Sequence, residues 1–201
     1  MENAGADGLL IVTPYYNKCT DSGLIAHYET IAEKVSTPII MYSVQSRTGV
    51  NISPRIAKIL SDHPNIAGIK EASGNISQIC EMAACISDEF SLYSGNDDQT
   101  VPILSLGGIG CISTVSNIIP ARFSSMIHEY LKGHCKDSGK EQVAIKPLID
   151  SIFSEVNPVP VKAALSMMGM CSAEYRLPMC PPTNKTQYLL YDTLKEFDLV
   201  K

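Results

Sequence analysis

Five short apolar runs punctuate the chain: GLLIVTP from Gly8, PIIMYSV from Pro38, IAGIKEA from Ile66, FSLYSG from Phe90 and GCISTV from Gly110. Each is rich in Ile, Val, Leu or Tyr and too short for a buried helix, so each predicts a strand. Helical spacing fills the gaps. Residues 22–35 carry Leu24, Ile25, Ile31, Ala32 and Val35 at that spacing. Ser53-Pro54 offers a cap and a proline at the first helical position, predicting a helix to about His63. Asn75 can cap the segment ISQICEMAACIS, and residues 99–106 run into the stop Gly107-Gly108. After Val115 only helices are expected, over about 120–133, 137–154, 158–169 and 184–197.

Strands alternating with helices form the βαβ pattern of a parallel sheet. Both faces of such a sheet are covered, so its strands read as continuous apolar runs, as these do. The expected fold class is α/β: strands four to eight of a (β/α) barrel over residues 1–119, then the last barrel helix and a C-terminal helical region over 120–201. Five strands do not close an eight-stranded barrel. The opening ENAGADG reads as the last turn of a helix entering a strand. About three βα units are therefore expected ahead of the first strand.

Composition narrows the function. Hydrophobic residues make up 45% of the 201, and the net charge of −5 leaves no basic footprint for nucleic acid. The longest apolar run is far too short to span a bilayer. Seven cysteines, an odd number without a CxxC pair, predict free thiols in a reducing cytoplasm rather than a disulfide framework or zinc site. The four histidines have no ligand-like spacing, so no metal is expected.

In parallel α/β folds functional groups collect at the C-terminal strand ends. Those ends offer Tyr15 and Tyr16; Tyr42, Ser46 and Arg47; Lys70 and Glu71; Gly95 to Asp98; and Ser113 and Thr114. Period-two alternation places Ile66, Gly68 and Lys70 on one face, with Gly68 leaving room beside the lysine stem. An ammonium facing an apolar barrel is poorly solvated, so its pKa falls. A drop from about 10.4 to about 7–8 corresponds to roughly 4 kcal/mol of destabilisation of the charged form. The neutral amine can attack a ketone and form an imine. The alternative is a strand-end lysine that reaches solvent or pairs with a carboxylate. Tyr42, at similar height on the preceding strand, suits a proton shuttle or, equally, a satisfied core position. Arg47 suits a bidentate grip on a substrate carboxylate or a surface ion pair. Tyr15 and Tyr16 point opposite ways, so one pocket cannot take both. GGIG at Gly107 precedes a strand and reads as a turn, not a phosphate cradle.

Six motifs in order, VTPYYN from Val12, the tyrosine and SRTG stretch from Tyr42 to Gly49, GIKEASGN from Gly68, SGNDD from Ser94, NPVPVK from Asn157 and RLPMCPPT from Arg176, resemble the dihydrodipicolinate synthase family. The wider group is the pyruvate-dependent lyases that include N-acetylneuraminate lyase. The resemblance implies a TIM (β/α)8 barrel lacking about its first three βα units. It implies condensation of pyruvate with L-aspartate 4-semialdehyde to 4-hydroxy-tetrahydrodipicolinate, in lysine biosynthesis through diaminopimelate. No cofactor is implied beyond the covalent imine with pyruvate at Lys70. Tyr42 falls on the proton-relay position, and Tyr16 on the tyrosine that reaches a neighbouring subunit's site. Arg47 falls on the arginine receiving the semialdehyde carboxylate, Ile112 and Gly95 on pyruvate-pocket positions, and Tyr15 on the lysine feedback site. The implied partners are the two substrates and further copies of the chain, as a homo-oligomer.

Two departures stand out. Ser43-Val44-Gln45 replaces the family's Asn-Val-Pro, and loss of the stiffening proline predicts a less firmly held Arg47. The Gly-Thr-Thr-Gly run of the family's second strand has no counterpart. Other readings are a different pyruvate-dependent 2-keto-acid aldolase, separable by the role of Arg47, and an inactive truncated paralogue that binds full-length subunits.

Overall fold

The computed structural model describes residues 2–201, and the chain divides into two compact units between Ile112 and Ser113. The first unit is built on five parallel strands: β1 (Leu9–Val12), β2 (Ile39–Ser43), β3 (Ile66–Glu71), β4 (Ser91–Ser94) and β5 (Gly110–Cys111). They lie in sequence order across the sheet. Each expected strand is present, although β5 keeps only two residues of its run. The connecting helices are α1 (Asp21–Ala32), α2 (Gln45–Thr48), α3 (Pro54–Ser61), α4 (Ile76–Ala83) and α5 (Thr100–Ser105).

The helix starts follow from side chains that accept otherwise unpaired backbone N–H groups. Thr20 accepts from Gly23, Ser53 accepts from Ile56 ahead of Pro54, and Asn75 accepts from Ser77 and Gln78. Helix α4 stops at Ala83, four residues short of its expected end. The four-residue turn α2 was not foreseen. Gly49 closes it at φ 72°, a left-handed conformation that glycine adopts without a Cβ clash.

One face of the sheet carries the core. Leu9, Ile39, Met41, Ile69 and Leu92 pack there against Leu24 and Tyr28 of α1, Ile56 and Leu60 of α3, and Ile79 and Met82 of α4. The opposite face carries Leu10, Ile40, Tyr42, Lys70 and Tyr93, none of them fully buried. Strict alternation fails at one point. The β2–β3 register shifts between Ile39 and Ile40, so Ile39 pairs with Ile66 but Ile40 pairs with Gly68. The extra residue turns Ile66 into the helix-side core, and Ile66 does not share a face with Gly68 and Lys70 as simple period-two reading expects.

The second unit is helical: α6 (Pro120–Leu131), α7 (Cys135–Ala144), α8 (Lys146–Ile152), α9 (Val159–Met167) and α10 (Asn184–Glu196). The single helix expected over 137–154 is two, broken at Ile145. Pro147 explains the break: it has no N–H to donate back into the preceding turn, but it suits the first turn of a new helix.

Candidate active site

Tyr42 and Lys70 are register partners on neighbouring parallel strands, so their side chains leave the sheet at the same height and on the same face. Lys70 Nζ lies 4.3 Å from the centroid of the Tyr42 ring. That contact places the ammonium against the electron-rich face of the phenol. Next along the sheet Lys70 is partnered by Tyr93, and Cys111 follows Gly110, the partner of Tyr93.

Burial holds the Lys70 pKa below the ordinary lysine value, because the half-buried ammonium has lost part of its water. Cys111 and Asp97 oppose that shift. Burial, helped by Asp97, pushes the Cys111 thiol up to about 12, so it is uncharged at neutral pH. The acidic neighbour that counts is therefore Asp97, a buried side chain whose Oδ1 is 3.6 Å from Cys111 Sγ. The Tyr42 phenol is raised by burial, and the Arg47 guanidinium offsets part of the rise. It stays protonated at neutral pH, able both to donate and to accept.

Room for the lysine comes from a different glycine than the sequence suggested. A Cβ on Gly68 would stand 2.5 Å from the Ser91 backbone oxygen, so Gly68 serves the close approach of β3 and β4. Gly95 is the one beside the stem. A Cβ there would lie 3.2 Å from Lys70 Cε and 2.6 Å from Ala72 Cβ. Gly95 N donates to Glu71 O at 2.7 Å, and Ile112 N donates to Ser94 O at 2.9 Å. Gly95 thus follows β4, the strand next to Lys70, and Ile112 follows β5, one strand further on.

Arg47 sits on α2, just past β2. The residue after it, Thr48, is tied by side-chain hydrogen bonds. Buried Thr13, following β1, donates from Oγ1 to Thr48 Oγ1 at 2.9 Å. Thr48 Oγ1 also accepts from Val50 N at 3.2 Å and lies 3.0 Å from the Val50 carbonyl oxygen. These bonds restrain the turn without a proline. Tyr15 and Tyr16 are 70% and 89% exposed. Tyr16 has φ 67°, an unusual conformation for a residue with a Cβ.

Sequence reasoning missed Asp97 and Cys111 as neighbours of the amine, and Thr13 and Thr48 as supports of α2. The SGNDD motif put Asp97 at the right strand end, but its direction depends on the turn after β4. Among the described residues no group of three or more metal-ligating side chains converges. Nor is any helix among them long and apolar enough to cross a membrane.

Residues 1–197 match the model of the dihydrodipicolinate synthetase family. The chain is 45% identical, over 199 residues, to a 4-hydroxy-tetrahydrodipicolinate synthase of Alkaliphilus oremlandii, covering 99% of this chain and 69% of the relative. It is 48% identical, over 198 residues, to the enzyme of that name from Caldicellulosiruptor saccharolyticus, covering 98% and 67%. The crystal structure of dihydrodipicolinate synthase from Thermotoga maritima superposes with a TM-score of 0.97 at 43% identity, over 99% of this chain and 69% of that one. The chain thus spans about two thirds of the length of these relatives.

Proposed function

This chain belongs to the dihydrodipicolinate synthetase family, and from that premise we propose that it condenses pyruvate with L-aspartate 4-semialdehyde through an imine at Lys70. The observation that carries the reading is the pairing of Tyr42 with Lys70 in one register position, with the amine 4.3 Å from the phenol ring.

The neutral Lys70 amine attacks the keto carbon of pyruvate. The resulting carbinolamine loses water, and the Tyr42 hydroxyl supplies the proton that leaves with the oxygen. The imine draws electrons from the pyruvate methyl group, which loses a proton and becomes an enamine. Its carbon attacks the aldehyde, forming the new carbon–carbon bond. Arg47 holds the carboxylate of the semialdehyde by a two-toothed hydrogen bond. The amino group of the bound semialdehyde then displaces Lys70 and closes the ring. Gly95 and Ile112 border the pyruvate. The imine is the only cofactor-like group the reaction needs.

Tyr16 belongs to a different part of this reading. Its exposed ring and unusual backbone suit a contact with a second copy of the chain, whose proton relay it completes in a homo-oligomer. Tyr15 is the corresponding element of a lysine-binding feedback site. A cytoplasmic setting is supported by its seven free cysteines, which suit a reducing compartment. The three relatives named above are all synthases, which gives no support to the aldolase or inactive-paralogue readings.

The test is direct. Incubation with both substrates should yield 4-hydroxy-tetrahydrodipicolinate, read by mass spectrometry, and Lys70→Ala should abolish it. A folded chain that gives no product, or the same amount with Lys70→Ala, contradicts the reading.

A further inference from the structure

Behind the sheet, on the face away from Lys70, runs a chain of polar side chains that the reaction does not use. It begins at Glu71, which is 0% exposed. Glu71 Oε1 accepts from Ser73 N at 2.8 Å and from Gln78 Nε2 at 3.5 Å. Gln78 and Asn51 exchange side-chain amide hydrogen bonds of 2.8 and 3.2 Å. Ser43 Oγ donates to Asn51 Oδ1 at 3.3 Å and accepts from Ile52 N at 3.1 Å. The chain therefore begins at the last residue of β3 and ends at the last residue of β2. Each of those residues directly follows a member of the site, Lys70 in one case and Tyr42 in the other.

A carboxyl group this deep in an apolar face is expensive, and substitution by an apolar residue of similar volume is often neutral or favourable for stability. Stability alone therefore does not account for Glu71. What the carboxyl supplies is direction: it ties the loop after β3 through Gln78 to the loop after β2. The backbone ladder between these strands runs unbroken from Ile40–Gly68 to Ser43–Glu71, where it reaches its end, and the side-chain chain carries the tie beyond it into the two loops.

We propose that Glu71 is a positioning residue which, through Gln78 and Asn51, clamps the carboxyl ends of β2 and β3 together and so holds the Lys70 amine in its half-buried place against Tyr42. This deepens the proposed function and rests on Lys70 being the working amine. Burial raises the Glu71 carboxyl above the ordinary range, and its Oε2 has no partner among the described residues. Both hydrogen bonds to the carboxyl use Oε1 as the acceptor, and a glutamine keeps an acceptor oxygen for that place.

The test reads the amine itself, independently of turnover. Trace acetylation with acetic anhydride across pH, with the Lys70 peptide quantified by mass spectrometry, gives the midpoint at which the amine becomes reactive. Besides Tyr42, the titratable groups on the Lys70 side of the sheet are Tyr93, Cys111 and Asp97, which none of the variants touches. In Glu71→Leu and in the more remote Gln78→Leu the midpoint should rise by about one pH unit, as the amine regains water. In Glu71→Gln it should stay at the wild-type value. A merely structural role would lower the folded fraction without moving the midpoint of the folded protein. Should Glu71→Leu fail to fold, Gln78→Leu alone decides the matter. Unchanged midpoints in the leucine variants overturn the clamp, as does a Glu71→Gln midpoint displaced as far as theirs. Failure of pyruvate to condense at wild-type Lys70 would instead overturn the proposed reaction and leave this titration readable.

Discussion

Lys70 Nζ is held 4.3 Å from the centre of the Tyr42 ring because the two residues are partners in the parallel β2–β3 register, not because either side chain strains to reach the other. The amine and the phenol are fixed by backbone hydrogen bonds on rigid elements, which is where precise chemistry is best supported. Consequences for single substitutions follow from that placement.

Tyr42→Phe keeps the ring against the amine but removes the hydroxyl. The fold should be unchanged by circular dichroism. Stopped-flow measurement of imine formation with pyruvate should show a loss of roughly 100-fold or more, the usual contribution of a positioned proton donor.

Gly68→Ala tests the close approach of β3 and β4. The new Cβ would fall 2.5 Å from the Ser91 oxygen, which is backbone and cannot swing aside. Overpacking of this kind costs about 1–3 kcal/mol. Chemical denaturation should show that loss, and the chain should keep the site's chemistry where it remains folded.

Arg47→Lys keeps the charge and loses the fork. With semialdehyde varied at fixed pyruvate, KM for the semialdehyde should rise about tenfold or more, while imine formation with pyruvate alone is unaffected. An equal loss in both measurements would place Arg47 in support of Tyr42 instead, since its guanidinium also acts on that phenol.

Glu71 predicts a pH dependence of stability. Its native pKa lies above the ordinary value of 4.5. Between those two values the native state binds more protons than the unfolded state, so stability falls as pH rises through the window. Glu71→Gln removes the titrating group. Urea unfolding from pH 4 to 7 should therefore show a smaller decline for Glu71→Gln than for the wild type.

Much of this site was legible in the sequence. Five apolar runs, helix caps at Ser53 and Asn75, and the period-two rule at the end of β3 suffice to put Tyr42 and Lys70 side by side. The rule failed at Ile66 because a one-residue register shift is set by pairing between strands, which no single run encodes. Gly95 rather than Gly68 stands beside the lysine stem for a similar reason: which backbone approaches a glycine depends on the neighbouring strand and turn. Thr13 and Thr48 are 35 residues apart, and their hydroxyl contact leaves no local pattern to read. The break at Ile145 was readable, since Pro147 stands in plain view inside the expected helix.

The central claim is that Lys70 is a nucleophilic amine with a depressed pKa. Borohydride reduction in the presence of pyruvate, followed by peptide mass spectrometry over a range of pH, tests it most directly. We predict a reduced pyruvate adduct on Lys70, forming with a pH midpoint below the ordinary lysine value of 10.5. An adduct on other lysines but not on Lys70, or none at all from folded protein, would contradict it.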